Sequence, residues 1–399
     1  MPLHWMDGFD NYGGDDITEL YNTLYGGSTP PTIGAFGRRG TNGIRFLGGY
    51  GYGNANAVGL TLQPGGLTMY AGFAFRGTNL SGGGFNWSYM DVVPTGSINP
   101  KSGSADRNNW MFMVRGGGVS HTAFRINKNG TISACYGDGP DADPDADFAV
   151  SGTTTNALQA GVYYFIELKI LIAQSTGTIL MKVNGDTWLN LSSVNTRNNV
   201  NSSFWDYVPP FLWDEIVFGK LQTDSPTGGP NGAWDYDDLY VGDTSAGSST
   251  NDLNDLAGDV RIDWKKPTAD GVNTGFTPFP ASPTTHYDKV DDTTPDDDIT
   301  YNEATTAALK DTFVMEDASV PTENVLAMML RWSSKRVASG SSSVNGVVRH
   351  SGTDYDGSAI GDSSSYAFRH NIFTKKPNDF SVISAADFNA FELGYKKAS

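Results

Sequence analysis

Cysteine is almost missing from this chain: Cys135 is the only one in 399 residues, so no intrachain disulfide can form and stability must come from packing. Long apolar runs are missing too. The best stretch, 163–172, is broken by Glu167 and Lys169, well short of the run of about 18 apolar residues that a spanning helix needs. Basic residues are scarce, with 27 Lys and Arg against 44 Asp and Glu and a formal net charge of −17. No basic stripe exists to displace counterions from phosphates, which excludes nucleic acid as a partner. The first residues, MPLHWMDGFDNY, have neither the basic start nor the apolar core of a secretory signal, so synthesis in a cytoplasm is expected, without membrane insertion. Heptads are absent, and oligomerisation through a coiled coil is excluded with them.

What is abundant is the chemistry of strands and tight turns: 12% aromatics, 48 Gly and 9 Trp. Charged residues make up only 18%, low for a disordered chain. In 163–172 the even positions Tyr164, Ile166, Leu168, Ile170 and Ile172 are apolar, while Glu167 and Lys169 are expected to face solvent. Thr178–Val183 then runs into Asn184-Gly185, a pair suited to a type I′ turn, and the chain returns over Thr187–Leu191. Residues 214–220 and 236–243 complete the series. Upstream, 6–12, 42–48, 67–77, 110–116 and 124–137 read as strands, the last with an Asn129-Gly130 turn. Residues 15–25 read as a short helix, with Ile17, Leu20, Tyr21 and Leu24 on one face and Asp16 at its N-cap.

The length calls for two domains, each able to bury its own core. Texture changes at DTSAGSSTNDLNDLAG, which is small, polar and without period. The expected layout is a jelly roll over 1–245, a linker over 246–258 and a second, smaller all-β sandwich over 259–399. In that second part 260–264, 311–315, 324–335, 344–352, 365–373 and 391–397 read as strands. Both faces of 324–335 are apolar, which predicts a central strand covered on two sides. Ser384 with Asp387 predicts a capped helical turn.

DGFDNY, the YYFIELKI strand, the MKVNGD hairpin and the closing WDYDDLYVGD resemble a LamG-like, concanavalin A-type jelly roll. With GDVRIDWKKPTADG, the TPDDDITY loop and GTDYDG after the linker, the order of pieces resembles virion structural proteins of tailed bacteriophages. That resemblance implies a non-enzymatic particle component exposed on tail or baseplate and adhering to a host surface. A head decoration or head-fibre protein is the alternative. Its partners would be other virion proteins, with a trimer expected by analogy, and host-surface glycans.

Candidate sites are few. Asp141, Asp143, Asp145 and Asp147 recur every second residue, and a looped backbone could aim several of them at one Ca²⁺, the sole cofactor considered; the competing reading is a solvated acidic loop. Trp205, Tyr207 and Trp213, beside a run of Asn residues, are candidates for a sugar platform in a lectin-like receptor-binding protein, or for an interface between subunits. A glycan hydrolase would need two facing carboxylates. Strand acids are isolated, the cluster Asp235, Asp237 and Asp238 sits where acids cap turns, and no catalytic residue is assigned. Cys135 reads as a small buried side chain.

Overall fold

The structure is a computed structural model. It describes residues 3–10, 17–21, 23–26, 31–47, 56–62, 66–79, 108–116, 119–127, 129–137, 148–197, 213–222, 232–245, 251, 253, 255–293, 295–319, 324–337 and 340–399. Two compact units are present. One comprises 1–10, 14–246 and 254–262, the other 11–13, 247–253 and 263–399.

In the first unit β1 (Leu3–Asp7), β2 (Thr23–Gly26), β3 (Thr32–Gly34), β4 (Gly43–Leu47) and β5 (Asn56–Thr61) precede the long β6 (Thr68–Asn79). Four strands follow: β7 (Asn108–Gly116), β8 (Val119–Ile126), β9 (Thr131–Gly137) and β10 (Phe148–Ala157). The last five are β11 (Tyr164–Leu171), β12 (Gly177–Val183), β13 (Asp186–Val194), β14 (Glu215–Gln222) and β15 (Gly232–Asp243). They make two antiparallel sheets. Sheet I runs β13-β12-β11-β6-β15-β4-β3 with β1 also on β15, and sheet II runs β10-β9-β8-β7-β14-β5-β2. This is a concanavalin A-like antiparallel sandwich. The β12–β13 hairpin turns on Asn184 (φ 51°) and Gly185 (φ 86°), both left-handed, as a type I′ turn requires.

The core lies between the sheets and is mostly aromatic. Tyr236 of β15 meets Phe46, Phe73, Phe75 and Phe218 at centroid distances of 5.3–5.7 Å. Its hydroxyl crosses to sheet II, donating to the carbonyl of Met111 at 2.8 Å with that of Gly219 at 3.1 Å. Phe73 stacks on Phe112 at 5.4 Å, again sheet to sheet. Each such ring, fully buried, adds about 2–3 kcal/mol. On β15 a register shift falls between Asp237 and Tyr240, where Asp238 has φ 52°. This bulge moves the inward positions from Trp234 and Tyr236 to Leu239 and Val241, and leaves Tyr240 outside.

The second unit is a smaller all-β body. Its six-stranded sheet takes the order Pro267–Thr274, Lys310–Met315, Glu392–Lys397, Ser343–His350 and Thr353–Asp356, with Ile360–Gly361 also on Ser343–His350. A ribbon of Met328–Ser334 and Ala367–Phe373 packs Met328, Leu330 and Phe373 against Val348, Phe391 and Leu393. Ser384 caps the helix Ala385–Asn389 with a full capping box. Among the described residues no helix is long and apolar enough to cross a membrane.

Four sequence expectations are corrected. Of the helix expected over 15–25, Ile17–Leu20 is helical, while Thr23–Gly26 pairs with β5 instead. The strand over 324–335 is broken into Asn324–Val325 and Met328–Ser334, and among the described residues the latter pairs with Ala367–Phe373 alone. Leu326, at 44% exposure, lies in the break, so this segment is not a covered central strand. The strand over 260–264 does not form, and residues 254–262 belong to the first unit. Glu167 is buried rather than solvent-facing, for a reason given below.

On β6 and β15 two tyrosines each lie across from a glycine, Tyr240 opposite Gly72 and Tyr70 opposite Gly242. A Cβ at Gly72 would come within 2.2 Å of the Tyr240 ring. Gly72→Val is therefore expected to lower unfolding free energy by about 2–3 kcal/mol in a urea titration, because the ring it meets is fully buried and cannot swing away.

Candidate functional site

The two outer faces of the sandwich differ in what their polar groups do. Sheet I is bound up in ion pairs. Asp235, fully buried on β15, accepts from Arg45 Nε (2.6 Å) and Nη2 (2.9 Å) and from Arg76 Nε (3.0 Å) and Nη2 (2.8 Å). Arg45 lies over Phe36 at 3.7 Å and Arg76 over Tyr163 at 4.4 Å, so each cation has an aromatic lid. Asp237 accepts from Arg38 N (3.0 Å), Thr41 Oγ1 (3.2 Å) and Asp238 N (2.8 Å). Asp238 accepts from Ile262 N (2.7 Å) and Arg38 Nε (2.8 Å), while Arg38 also reaches the Val260 carbonyl and Asp259.

These contacts fasten segment 255–262 across sheet I. Further along it, Gly258 N donates to Glu167 (2.7 Å), which also accepts from the Tyr240 hydroxyl (2.7 Å), and Lys169 meets Asp255 at 3.0 Å. That strap is what buries Glu167. Acids that looked like turn caps at a strand entry are thus buried inside β15, where they bind a loop and a strap.

Sheet II presents a different set on its outer face. Register and bulges place Trp110, Met113, Ala123, Cys135, Val217 and Ala57 together there as an apolar cluster that is itself buried. Beside them Arg115 Nη1 donates to Glu215 Oε2 at 2.6 Å, directly across from it on β14. His121 sits in the bulge between Ser120 and Thr122, almost fully buried. Burial, then the charges of Arg197 and Arg115, push its pKa down to about 4, so the imidazole is neutral at ordinary pH. Burial pushes the Cys135 thiol up to about 12 against the pull of Arg125, which leaves it unreactive.

Of the residues singled out from sequence, Asp141, Asp143, Asp145, Asp147, Trp205 and Tyr207 lie outside the described residues. Trp213 is fully buried, edge-on to His4 at 6.1 Å, and offers no surface platform. Among the described residues no three His, Cys, Asp or Glu side chains are placed to hold a metal ion. Sequence reading missed Arg45, Arg76, Arg115, His121 and Arg125. The signal was available: charged or imidazole side chains inside otherwise apolar strands (GIRFLG, FAFRG, MFMVRG, SHTAFRI) mark outer-face positions with buried work to do.

No protein-family model matches this chain, and no curated protein matches it. Solved structures do. A glucuronan lyase from Trichoderma reesei is 16% identical over 56% of this chain and 90% of that one, with a TM-score of 0.36. An alginate lyase is 13% identical over 61% and 97%, at 0.38. The catalytic domain of a glycoside hydrolase family 131 protein from Coprinopsis cinerea is 10% identical over 65% and 99%, at 0.34. The likeness lies in the sheet architecture. The expectation of a non-enzymatic bacteriophage particle component on tail or baseplate does not stand: these three solved structures carry the names of lyases and of a glycoside hydrolase, and none that of a particle component. The expectation that the protein is not an enzyme falls with it.

Two outcomes test the sheet I hub. Asp235→Ala leaves two guanidinium groups facing each other without their carboxylate, and is expected to cost about 2–4 kcal/mol by urea titration, allowing for the partial exposure of both arginines. Burial, then the Asp238 carboxylate, push Asp237 up to about 8. A carboxyl whose pKa is raised on folding stabilises the fold fully below its unfolded value, and that stability is lost as pH rises through 8. Tm is therefore expected to fall from pH 5 to 8, and Asp237→Asn to flatten that slope.

Proposed function

We propose that the first unit acts on an acidic polysaccharide bound on the sheet II side of the sandwich. The observation that supports this reading is the buried, neutral His121 of β8, which feels the charges of Arg197 and Arg115, while the acids of sheet I are spent on its strap and loop. In a chain of net charge −17, a cationic cluster around a neutral base favours an anionic ligand over a neutral one.

The chemistry such a set performs is proton abstraction next to a carboxylate. His121 takes the proton from the ring carbon that bears the carboxylate, and the nearby guanidinium charge stabilises the carbanionic character that develops. The electron pair forms a carbon–carbon double bond as the glycosidic oxygen on the adjacent carbon leaves and takes up the proton that His121 removed, so the chain is cut without water. Glu215, joined to Arg115 at 2.6 Å, holds that guanidinium in place as a positioning residue.

The test is release of unsaturated oligosaccharide from polyglucuronate, polygalacturonate and alginate, followed by ultraviolet absorbance. His121→Gln is expected to lower kcat by about 10²–10⁴ with little change in KM. Because His121 titrates near 4, the wild-type rate should be flat from pH 5 to 8 and drop only below about pH 4. No product and no binding with any of these chains would overturn the reading.

A further inference from the structure

The second unit gathers cations on one ribbon. Segments 324–336 and 366–376 together hold six Lys or Arg and His370, with no Asp or Glu, in a chain whose formal net charge is −17. Their strands Met328–Ser334 and Ala367–Phe373 pair antiparallel, with Arg331 directly across from His370 and Ser333 across from Phe368. Met328, Leu330 and Phe373 face the core, and Trp332 packs against it. Side chains alternate along a strand, so Arg331, His370 and Phe368 lie on the opposite face of the ribbon. All three are half-buried, and solvent reaches each of them.

Cations and rings alternate on this face. The Arg331 guanidinium carbon is 5.4 Å from the centroid of Phe368, and Lys335 Nζ is 4.5 Å from that of Tyr366. Arg331 and Lys335 are four residues apart, about 13 Å along an extended strand, so a ligand that meets both must be elongated. At one end the face already holds a carboxylate. Asp298 accepts from Lys335 Nζ and from the Tyr366 hydroxyl (3.1 Å), and its side chain is 69% exposed. A lysine and a phenol thus bind a carboxylate at the surface, where one carried by a ligand can take its place. The rings beside the cations offer apolar contact to a sugar.

We propose that this ribbon is a second binding site, separate from the one on the first unit, and that it takes a carboxylate-bearing oligosaccharide lying along it from Arg331 to Lys335. An anionic occupant follows from the ribbon's own charge. That the anion is a sugar rests on the reading of the first unit as acting on an acidic polysaccharide. A second attachment point on one polymer strengthens binding without any new chemistry at the first.

The test is titration calorimetry of the full chain carrying His121→Gln, in which turnover is slowed, with glucuronate hexasaccharide and hexaglutamate. One hexasaccharide is expected at each unit. Adding Arg331→Gln and Lys335→Gln should weaken the ribbon site at least about tenfold and leave the other unchanged. Asp298→Asn, which frees Lys335, should tighten the ribbon site about two- to fivefold. Hydrogen–deuterium exchange of the wild-type chain needs no variant: the hexasaccharide should slow exchange in Met328–Ser334 and Ala367–Phe373. No protection in those strands, a folded Arg331/Lys335 variant that keeps both sites, or an Asp298→Asn chain that binds no tighter would each overturn the ribbon site and leave the first-unit reading standing. A single site that disappears with Arg331 and Lys335 upholds the ribbon and removes the first-unit site instead. Hexaglutamate bound on the ribbon as tightly as the hexasaccharide would make it a site for acidic peptides and overturn the sugar. Binding of the hexasaccharide nowhere removes both readings.

Discussion

A carboxylate buried on the outer face of a sheet has to be neutralised or hydrogen-bonded, and β15 places three in the four residues 235–238. Much of the first unit is arranged around that demand. Arg45 from β4 and Arg76 from β6 approach Asp235 from either side, so the neighbours of β15 are pinned in register by charge as well as by the backbone ladder. Asp237 and Asp238 draw in residues 38–41 and 262 through backbone N–H groups and Arg38. Inside, the same strand turns Trp234 and Tyr236 into the core. One strand thus carries both the aromatic centre of the sandwich and the ionic fastening of its outer layer.

The division of labour between the two faces follows from this. Sheet I spends its polar groups internally and is crossed by 255–262, so little of its charge is left for a ligand. On sheet II, among the described residues, the balance is reversed: arginines outnumber acids, one imidazole is held neutral chiefly by burial, and one guanidinium retains N–H groups that no side chain takes. A jelly-roll sandwich is a scaffold for many activities, and here the asymmetry of charge use, more than the scaffold, points to the working face.

The fold was largely legible in the residues. Period-two alternation over 163–172 and the Asn184-Gly185 turn placed three adjoining strands of sheet I correctly, and Asp387 three residues after Ser384 marked a capping box that forms. Where reading failed, non-local pairing was the cause. Leu24 carries a helical period, but β5 offers its segment a ladder that no local pattern reveals. Glu167 sits at a solvent-facing position of its own strand and is buried only because a segment some 90 residues later lies over it. The candidate site was hidden for the same reason: His121, Arg115 and Arg125 come from two strands, and only the pairing of β7 with β8 brings those strands side by side. Trp213 was conspicuous by composition alone, and composition does not distinguish a platform from a core ring.

Hydrogen–deuterium exchange with and without a saturating acidic oligosaccharide tests the central claim most directly, since it reports on both faces in one measurement. Ligand held on sheet II predicts slower exchange in β7, β8, β9 and β14, with β6, β11 and β15 unchanged. Protection confined to sheet I, or none in either sheet while binding is seen by another method, would contradict the assignment of sheet II as the working face.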